Sequence, residues 1–221
     1  MINENFPFLD LPPEIRTQIY RLLLVQKPQN LVVISPRLID SSPPFYASSY
    51  LSTTAATYPF NLLLSCSLIY EEIRPLYFNV NTFLIILGRH NNTLSYLLHE
   101  TRFRSSLRLI RRLRLSIVRW GCRNFFEITF APFLQDCILN GNLRHLELFV
   151  RESWVSSVKK QHGGNDNDGR DRQNWRALKT LLKDPYLENI SIWALPGNFY
   201  ENLEDAVQSY KTIDVAWLLN D

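Results

Sequence analysis

The residues of this sequence that could carry chemistry are four histidines, three cysteines and a run of arginines. Histidine and cysteine supply general bases, nucleophiles and metal ligands, but only at particular spacings. The cysteines form no C-x-x-C pair, and the histidines are scattered without ligand spacing, at His90, His99, His145 and His162. The sequence also contains no G-x-S-x-G, no H-E-x-x-H and no glycine-rich phosphate loop. We therefore expect no enzymatic activity, no cofactor and no metal site.

The cysteines also indicate a cellular compartment. Cys66, Cys122 and Cys137 lie in apolar surroundings, as small core residues do, and their odd number does not support a disulfide framework. The amino terminus lacks the basic patch and apolar run of a secretory signal, and no stretch reaches the roughly 18 apolar residues of a membrane span. We expect an intracellular protein, cytoplasmic or nuclear, with no membrane partner.

Eight arginines and no acidic residue lie between residues 101 and 123. Such a run could bind an anionic partner, but the formal net charge of the chain is only +3. Arg112 and Arg114 alternate with leucines, as side chains do on a strand with one solvated face. The acidic segment after Asp184 could also neutralise the run internally. The pattern therefore favours a solvated protein surface over a nucleic-acid site.

Two tryptophans complete the candidate partner-binding residues. Trp120 and Trp154 follow the carboxyl ends of two predicted strands, where aromatic side chains could line a recognition surface. The sequence therefore predicts Arg112, Arg114, Trp120 and Trp154 as partner-binding residues, with core packing as the alternative for the tryptophans.

The first element that must position these residues is a helix near the amino terminus. Pro12 and Glu14 predict its start, because proline fits the first turn and the helix dipole favours an anion there. Four apolar residues recur at the spacing of one helical face, namely Ile15, Ile19, Leu22 and Leu23. We expect this face to be buried and Arg16 and Arg21 to lie on the opposite, solvated side.

Residues 25–60 contain five prolines and one strand-like run, 31–34, which predicts an insertion. A second helical pattern follows over 62–74 and is expected to stop at Pro75, because proline cannot continue the backbone hydrogen bonds of a helix.

Strands and helices then alternate, which predicts an α/β fold with a mainly parallel sheet. The predicted strands are 81–87, 110–118, 143–150 and 187–193, and the helices between them are 93–100, 124–139 and 173–183. Leu113-x-Leu115-x-Ile117 aligns with Leu146-x-Leu148-x-Val150 and with Ile190-x-Ile192, a weak repeat of the leucine-rich kind. We expect a mobile polar loop over 161–172 and a cap formed by a helix over 202–210 and the tail 215–219.

The sequence Leu11-Pro12-Pro13-Glu14-Ile15, followed by Ile19-Tyr20 and Leu22-Leu23, resembles the opening of the F-box. Residues 64–77 resemble the later F-box helices, and 79–83 continue like the N-T-F signature of a large group of fungal F-box-like proteins. That family typically continues into irregular strand-helix repeats. The resemblance implies an F-box-like helical module over 6–80, with the insertion 25–60, packed on an irregular leucine-rich-repeat-like domain over 81–221.

The resemblance also implies a function. An F-box binds the Skp-type adaptor of a cullin-RING ubiquitin ligase, and the repeats present a protein substrate, so the chain would be a non-catalytic interaction adaptor. By position, Leu11, Pro12, Ile15 and Ile19 would lie at the groove of the Skp-type adaptor, with Leu22 and Leu23 facing the core of the module.

A second hypothesis is an adaptor-independent interaction or structural protein, in which the same helices close one end of the repeat domain. The two hypotheses differ in whether Leu11, Pro12, Ile15 and Ile19 are exposed as one patch or buried under residues 25–60.

Overall fold

The computed structural model of the chain describes residues 7–25, 32–34, 60–89, 91–122, 124–151, 169–195 and 211–213. Within these ranges the α-helices are α1 (Pro13–Leu24), α2 (Phe60–Leu63), α3 (Ser67–Val80), α4 (Asn92–His99), α5 (Thr101–Leu107), α6 (Ala131–Leu139) and α7 (Gly169–Leu182). A 3-10 turn, Phe8–Asp10, precedes α1, and a π-helical turn, Phe126–Phe130, leads into α6. None of the described helices is long and apolar enough to cross a membrane.

The strands form one sheet whose order follows the chain. They are β1 (Val32–Ile34), β2 (Thr82–Leu87), β3 (Arg112–Ile117), β4 (His145–Arg151), β5 (Asn189–Leu195) and β6 (Lys211–Ile213). The first five are parallel to their neighbours, and β6 pairs antiparallel with β5. Adjacent parallel strands need a crossover connection, which the intervening helices supply. The predicted α/β fold with a mainly parallel sheet is confirmed, whereas β6 and the place of β1 in the sheet have no counterpart in the sequence prediction.

The register of the sheet coincides with the repeat in the sequence. Leu113 of β3 lies beside Leu146 of β4, which lies beside Ile190 of β5. Two further rows follow at two-residue steps, Leu115–Leu148–Ile192 and Ile117–Val150–Ala194. Because alternate side chains of a strand point to the same face, the three rows form one apolar surface. The aligned leucines of the sequence are therefore the buried rows of the sheet.

This apolar face and the helices share one buried core. Side chains from α4 to α7 belong to it, including Leu94, Leu107, Leu134 and Leu178. The amino-terminal helices contribute Tyr20, Leu24, Tyr77 and Phe78 to the same core. Phe78 stacks on Phe83 of β2, with ring centroids 5.1 Å apart, and so joins α3 to the sheet. The helical module is therefore packed directly on the sheet, as predicted.

The second helical segment differs from its prediction at both ends. A break at 64–66 separates α2 from α3, and α3 continues through Pro75 to Val80. Proline weakens a helix because it donates no hydrogen bond to the residue four positions earlier, here Glu71. Both Pro75 and Glu71 are exposed, so water can hydrate that carbonyl. The opposite side of α3 is buried in the core, and this packing stabilises the helix across Pro75. Its buried residues are Ile69, Ile73, Tyr77 and Phe78.

The carboxy-terminal predictions have mixed outcomes. The predicted helix 202–210, the apolar tail 215–219 and residues 161–168 of the polar loop lie outside the described residues. Residues 169–172, predicted as the end of that loop, instead form the first turn of α7. Glycine is acceptable at Gly169 because the first amides of a helix have no intrahelical partner to lose.

Candidate protein-docking surface

The amino-terminal helix starts as its sequence predicts. Pro12 precedes the first turn, Pro13 is the first helical residue and Glu14 supplies an acid beside the positive end of the helix dipole. The Pro12 carbonyl accepts hydrogen bonds from the amides of Ile15 and Arg16, at 3.0 and 3.1 Å. Pro12 and Pro13 each have a φ angle fixed by the proline ring. The backbone direction at the start of α1 is therefore restricted even before the helix packs against the rest of the protein.

Arg16 faces inward, contrary to the sequence prediction, and only 7% of the residue is exposed. Its Nη1 donates to the carbonyls of Leu9 and Leu11, at 2.9 and 2.6 Å. Its Nε and Nη2 donate to the two carboxylate oxygens of Glu72 on α3, the first at 3.1 Å. Such a bidentate pair fixes direction as well as distance. Arg16 therefore ties the segment before α1 to α3.

Tyr20 lies one turn further along the same face of α1. Its hydroxyl donates to Oε2 of Glu72 at 2.9 Å, and its ring packs on Phe8 with centroids 5.7 Å apart. Burial, followed by the bond to Glu72, raises the pKa of Tyr20 to about 12. The hydrogen bonds from Arg16 lower the pKa of Glu72, so the carboxylate stays charged between its two donors.

The residues of α1 that are buried determine which of its residues are exposed to solvent. Arg16, Tyr20 and Leu24 recur every four residues and are buried. The four apolar residues predicted to be buried lie on a neighbouring side of the helix, where Ile15 is 41%, Leu22 85% and Leu23 61% exposed. The expectation of a buried apolar face is therefore wrong, as is the placement of Leu22 and Leu23 in the core of the module. The ion pair of Arg16 is the physical reason, since it gives a buried position to a residue that hydropathy places outside.

The residues predicted to contact an adaptor lie on this outward side. Pro12 and Ile15 are exposed, and Leu11 and Ile19 are half-buried. We define the α1 face as Leu11, Pro12, Ile15, Ile19, Leu22 and Leu23. Among the described residues, eight of the twelve exposed large apolar side chains belong to the helical module, namely Leu9, Ile15, Leu22, Leu23, Val25, Leu64, Leu68 and Tyr70. Exposed apolar surface is therefore concentrated at the amino-terminal helices, which is typical of an interaction site.

Of the second predicted set, Arg112 and Arg114 lie on the face of the sheet opposite the buried rows. Arg114 donates through Nε to Glu147 on β4 at 2.8 Å, and its guanidinium lies 5.1 Å from the centroid of the Phe149 ring. Arg112 is exposed and donates to the carbonyl of Val80 at 3.2 Å. Both arginines thus point away from the buried rows, as the alternation predicts, and both have partners within the chain.

Much of the arginine run is neutralised internally. Arg104 and Arg108 both pair with Asp136 on α6, at 3.0 and 2.8 Å. The hydrogen bonds of Arg108 lower the pKa of Asp136 to about 2. Arg111 pairs with Glu188 of the acidic carboxy-terminal segment, at 3.4 Å. These three arginines therefore form ion pairs within the protein, and the run is not a continuous surface of unpaired positive charge.

Of the two candidate tryptophans, one is buried and the other lies outside the described residues. Trp120 is 6% exposed and packs edge-on against Phe126 and Trp175, with ring centroids 4.9 and 5.3 Å away. Trp120 is therefore a core residue in contact with α7, as the packing alternative predicted, and not part of a recognition surface. Trp154 is not among the described residues.

Of the three cysteines, Cys137 lies in the core as predicted and Cys66 is half-buried, whereas Cys122 is exposed, so its prediction as a core residue is wrong. Cys137 is buried and its pKa is raised to about 12, chiefly by burial, so its thiol is unreactive at neutral pH. Nδ1 of His145 lies 2.8 Å from the side-chain nitrogen of Asn189. No group of three or more histidine, cysteine or acidic residues within the described ranges could hold a metal ion. A cavity of about 10 Å³ between the sheet and α6, lined by Ile85, Leu113 and other apolar side chains, has no room for a ligand.

Comparisons of this chain with protein-family models, with curated proteins and with solved structures found no match. The functional proposal therefore rests on the resemblance in the sequence and on the geometry of the α1 face.

Proposed function

We propose that this chain is a non-catalytic protein-interaction adaptor, resembling the substrate-recognition subunit of a cullin-RING ubiquitin ligase. In this proposal the α1 face binds a Skp-type adaptor, and the repeat domain holds a protein substrate. We place the protein in the cytoplasm or nucleus, because three free cysteines suit a reducing compartment.

The observation that carries the proposal is the outward orientation of the α1 face. Full burial of a leucine or isoleucine side chain stabilises a complex by about 1.5–3 kcal/mol relative to leaving it in water. Leu22 and Leu23 are 85% and 61% exposed, so most of this gain is still available to a partner. Burial of several apolar residues from one helix in a partner's groove is a recurring mode of protein recognition.

The contacts behind α1 favour binding with little rearrangement. Arg16 holds both the segment before the helix and Glu72 of α3, and Tyr20 bonds to the same carboxylate. A surface held in place before binding loses less conformational entropy when a partner docks. The polar inner side of α1 therefore presents the apolar outer side on a rigid support.

The test is a calorimetric titration of the purified chain with a Skp-type adaptor. We expect a dissociation constant in the micromolar range or tighter. Ile15→Asp, Ile19→Asp and Leu22→Asp should each abolish measurable binding, because each places a charge in a contact that must lose its water. Circular dichroism should show that the variants retain the wild-type fold.

The matched control is Ile128→Asp, which introduces the same charge at an apolar residue that is 65% exposed in the repeat domain. Its affinity should equal that of the wild type. A folded wild-type chain that does not bind the adaptor, or equal weakening by Ile128→Asp, contradicts the proposal.

A second candidate function is supported by the shared core. Tyr20, Tyr77 and Phe78 continue the apolar core of the sheet, and Nδ2 of Asn81 donates to the carbonyl of Leu24 at 3.0 Å. These contacts suit helices that close one end of the repeat domain in an adaptor-independent interaction protein. This role uses the inner side of α1, so failure of adaptor binding would leave the second candidate as the function.

A further inference from the structure

The contact between α3 and α5 contains an arginine whose partners are two serine hydroxyls. Nη2 of Arg74 on α3 donates to Oγ of Ser105 at 3.1 Å and to Oγ of Ser106 at 3.0 Å. The guanidinium carbon lies 5.9 Å from the centroid of the Tyr70 ring, one turn earlier on the same helix. None of the ion pairs in the described residues includes Arg74. Neutral hydroxyls thus occupy the position where arginine most favourably holds an anion.

The sequence around these serines is basic. It reads Arg102-Phe103-Arg104-Ser105-Ser106, so arginines lie three and one residues before Ser105. Kinases with an acidic substrate groove select cationic side chains at such positions, since opposite charges steer the segment into place. Ser105 is exposed and Ser106 is half-buried. Helix α5 has only seven residues, so it is held by its tertiary contacts, among them the ion pair of Arg104 with Asp136. A kinase that reads Arg104 must open these contacts locally.

We propose that Ser105 is a phosphorylation site for a basophilic serine kinase, and that the phosphate locks α5 to α3 through Arg74. In the reaction, Oγ of Ser105 attacks the γ-phosphorus of a nucleoside triphosphate supplied with the kinase. A new O–P bond forms, the bond from that phosphorus to the β,γ-bridging oxygen breaks, and the nucleoside diphosphate leaves. The hydroxyl proton passes to the kinase's carboxylate base and then to water.

Two effects on stability oppose each other after this step. Ser105 lies in the carboxy-terminal half of α5, where the helix dipole disfavours an anion. Arg74 is already within hydrogen-bond distance of Oγ, so the phosphate replaces a neutral acceptor by a charged one. A charge-assisted bond to a guanidinium outweighs a dipole effect at an exposed position. Arg74 therefore determines the sign of the change.

This site couples the two parts of the molecule. Arg74 belongs to the helical module, and Ser105 belongs to α5, one of the two helices between β2 and β3. A phosphate between them would fix the module on the repeat domain without covering the α1 face. The inference is independent of adaptor binding, and its readouts are phosphate incorporation and thermal stability.

The test incubates the full chain with ATP and a serine kinase that requires arginine three residues before its acceptor. Mass spectrometry should locate one phosphate on Ser105. Incorporation should be lost in Ser105→Ala and retained in Ser106→Ala and Arg74→Met. The phosphorylated wild type should melt about 2–4 °C higher than the unphosphorylated chain, whereas phosphorylated Arg74→Met should melt at the same temperature as its unphosphorylated form or lower.

Three results would overturn the proposal. The first is absence of phosphate on Ser105 in the folded chain. The second is a wild-type melting temperature that stays constant or falls on phosphorylation. The third is an equal rise in Arg74→Met, which would show that the phosphate acts through another group.

Discussion

Three consecutive leucines at the end of α1 provide a sharp test of its orientation. Leu24 is 0% exposed, whereas Leu22 and Leu23 are 85% and 61% exposed. Truncation of a fully buried leucine to alanine lowers the free energy of unfolding by about 2–5 kcal/mol, through lost transfer energy and the cavity left behind. We expect about 3 kcal/mol for Leu24→Ala, and changes within about 0.5 kcal/mol for Leu22→Ala and Leu23→Ala.

The three variants are matched controls for one another. Each removes the same atoms from the same residue type in the last turn of one helix, so the change in helix propensity is nearly equal. The hydrogen bond from Asn81 uses the backbone carbonyl of Leu24 and survives truncation of the side chain. Burial is therefore the main difference among the variants.

The assay is thermal unfolding followed by circular dichroism, with urea unfolding for the free energies. For a chain of this length, 1 kcal/mol shifts the melting temperature by about 2–4 °C. Leu24→Ala should thus melt about 6–12 °C below the wild type, and the other two variants within about 2 °C of it. A Leu22→Ala or Leu23→Ala variant that loses more stability than Leu24→Ala would refute the orientation of α1, and with it the α1 face.

Three further predictions concern the repeat domain. Hydrogen bonds from Arg108 lower the pKa of Asp136 to about 2, so the carboxylate stabilises the fold above its ordinary pKa of 3.8 and loses that effect as the pH falls through 2. Asp136→Asn should therefore lower the free energy of unfolding by about 1–2 kcal/mol at pH 6, a value reduced for solvent screening of the exposed arginines. Unfolding curves at decreasing pH should show that the difference in stability between wild type and variant vanishes near pH 2. Gly121→Ala should lower the melting temperature by several degrees, because φ at this position is +87° and the new Cβ would lie 2.7 Å from Nδ2 of Asn91. A calorimetric scan with an unchanged melting temperature would contradict this prediction. A thiol reagent should label the exposed Cys122 in the native chain and the buried Cys137 only after unfolding, as peptide mass spectrometry can check.

The sheet could be predicted from the sequence because its signal repeats. Leu113, Leu146 and Ile190 each begin an alternating apolar run, and period-two alternation specifies both strand and register. The strand β6 gives no such signal: it is only three residues long and pairs at the end of the sheet. Short edge strands depend on a neighbour and not on their own pattern.

The orientation of α1 could not be predicted from hydropathy. Leu22, Leu23 and Leu24 are adjacent, and successive helical residues point about 100° apart. Hydropathy alone therefore allows either the side with Leu22 and Leu23 or the side with Leu24 to be the buried face of α1. The contact that decides between them pairs Arg16 with Glu72, 56 residues away. A long-range ion pair leaves no local pattern, although the i, i+4, i+8 spacing of Arg16, Tyr20 and Leu24 is visible in retrospect.

The most direct test of the central claim is a thiol footprint of the α1 face. Leu22→Cys is labelled in the free chain and in the presence of saturating Skp-type adaptor, and peptide mass spectrometry follows its rate beside that of the exposed native Cys122. Our account predicts rapid labelling of residue 22 in the free chain, at least tenfold slower labelling with the adaptor, and an unchanged rate at Cys122. Slow labelling in the free chain would contradict the outward orientation, and undiminished labelling at saturating adaptor would contradict docking through this face.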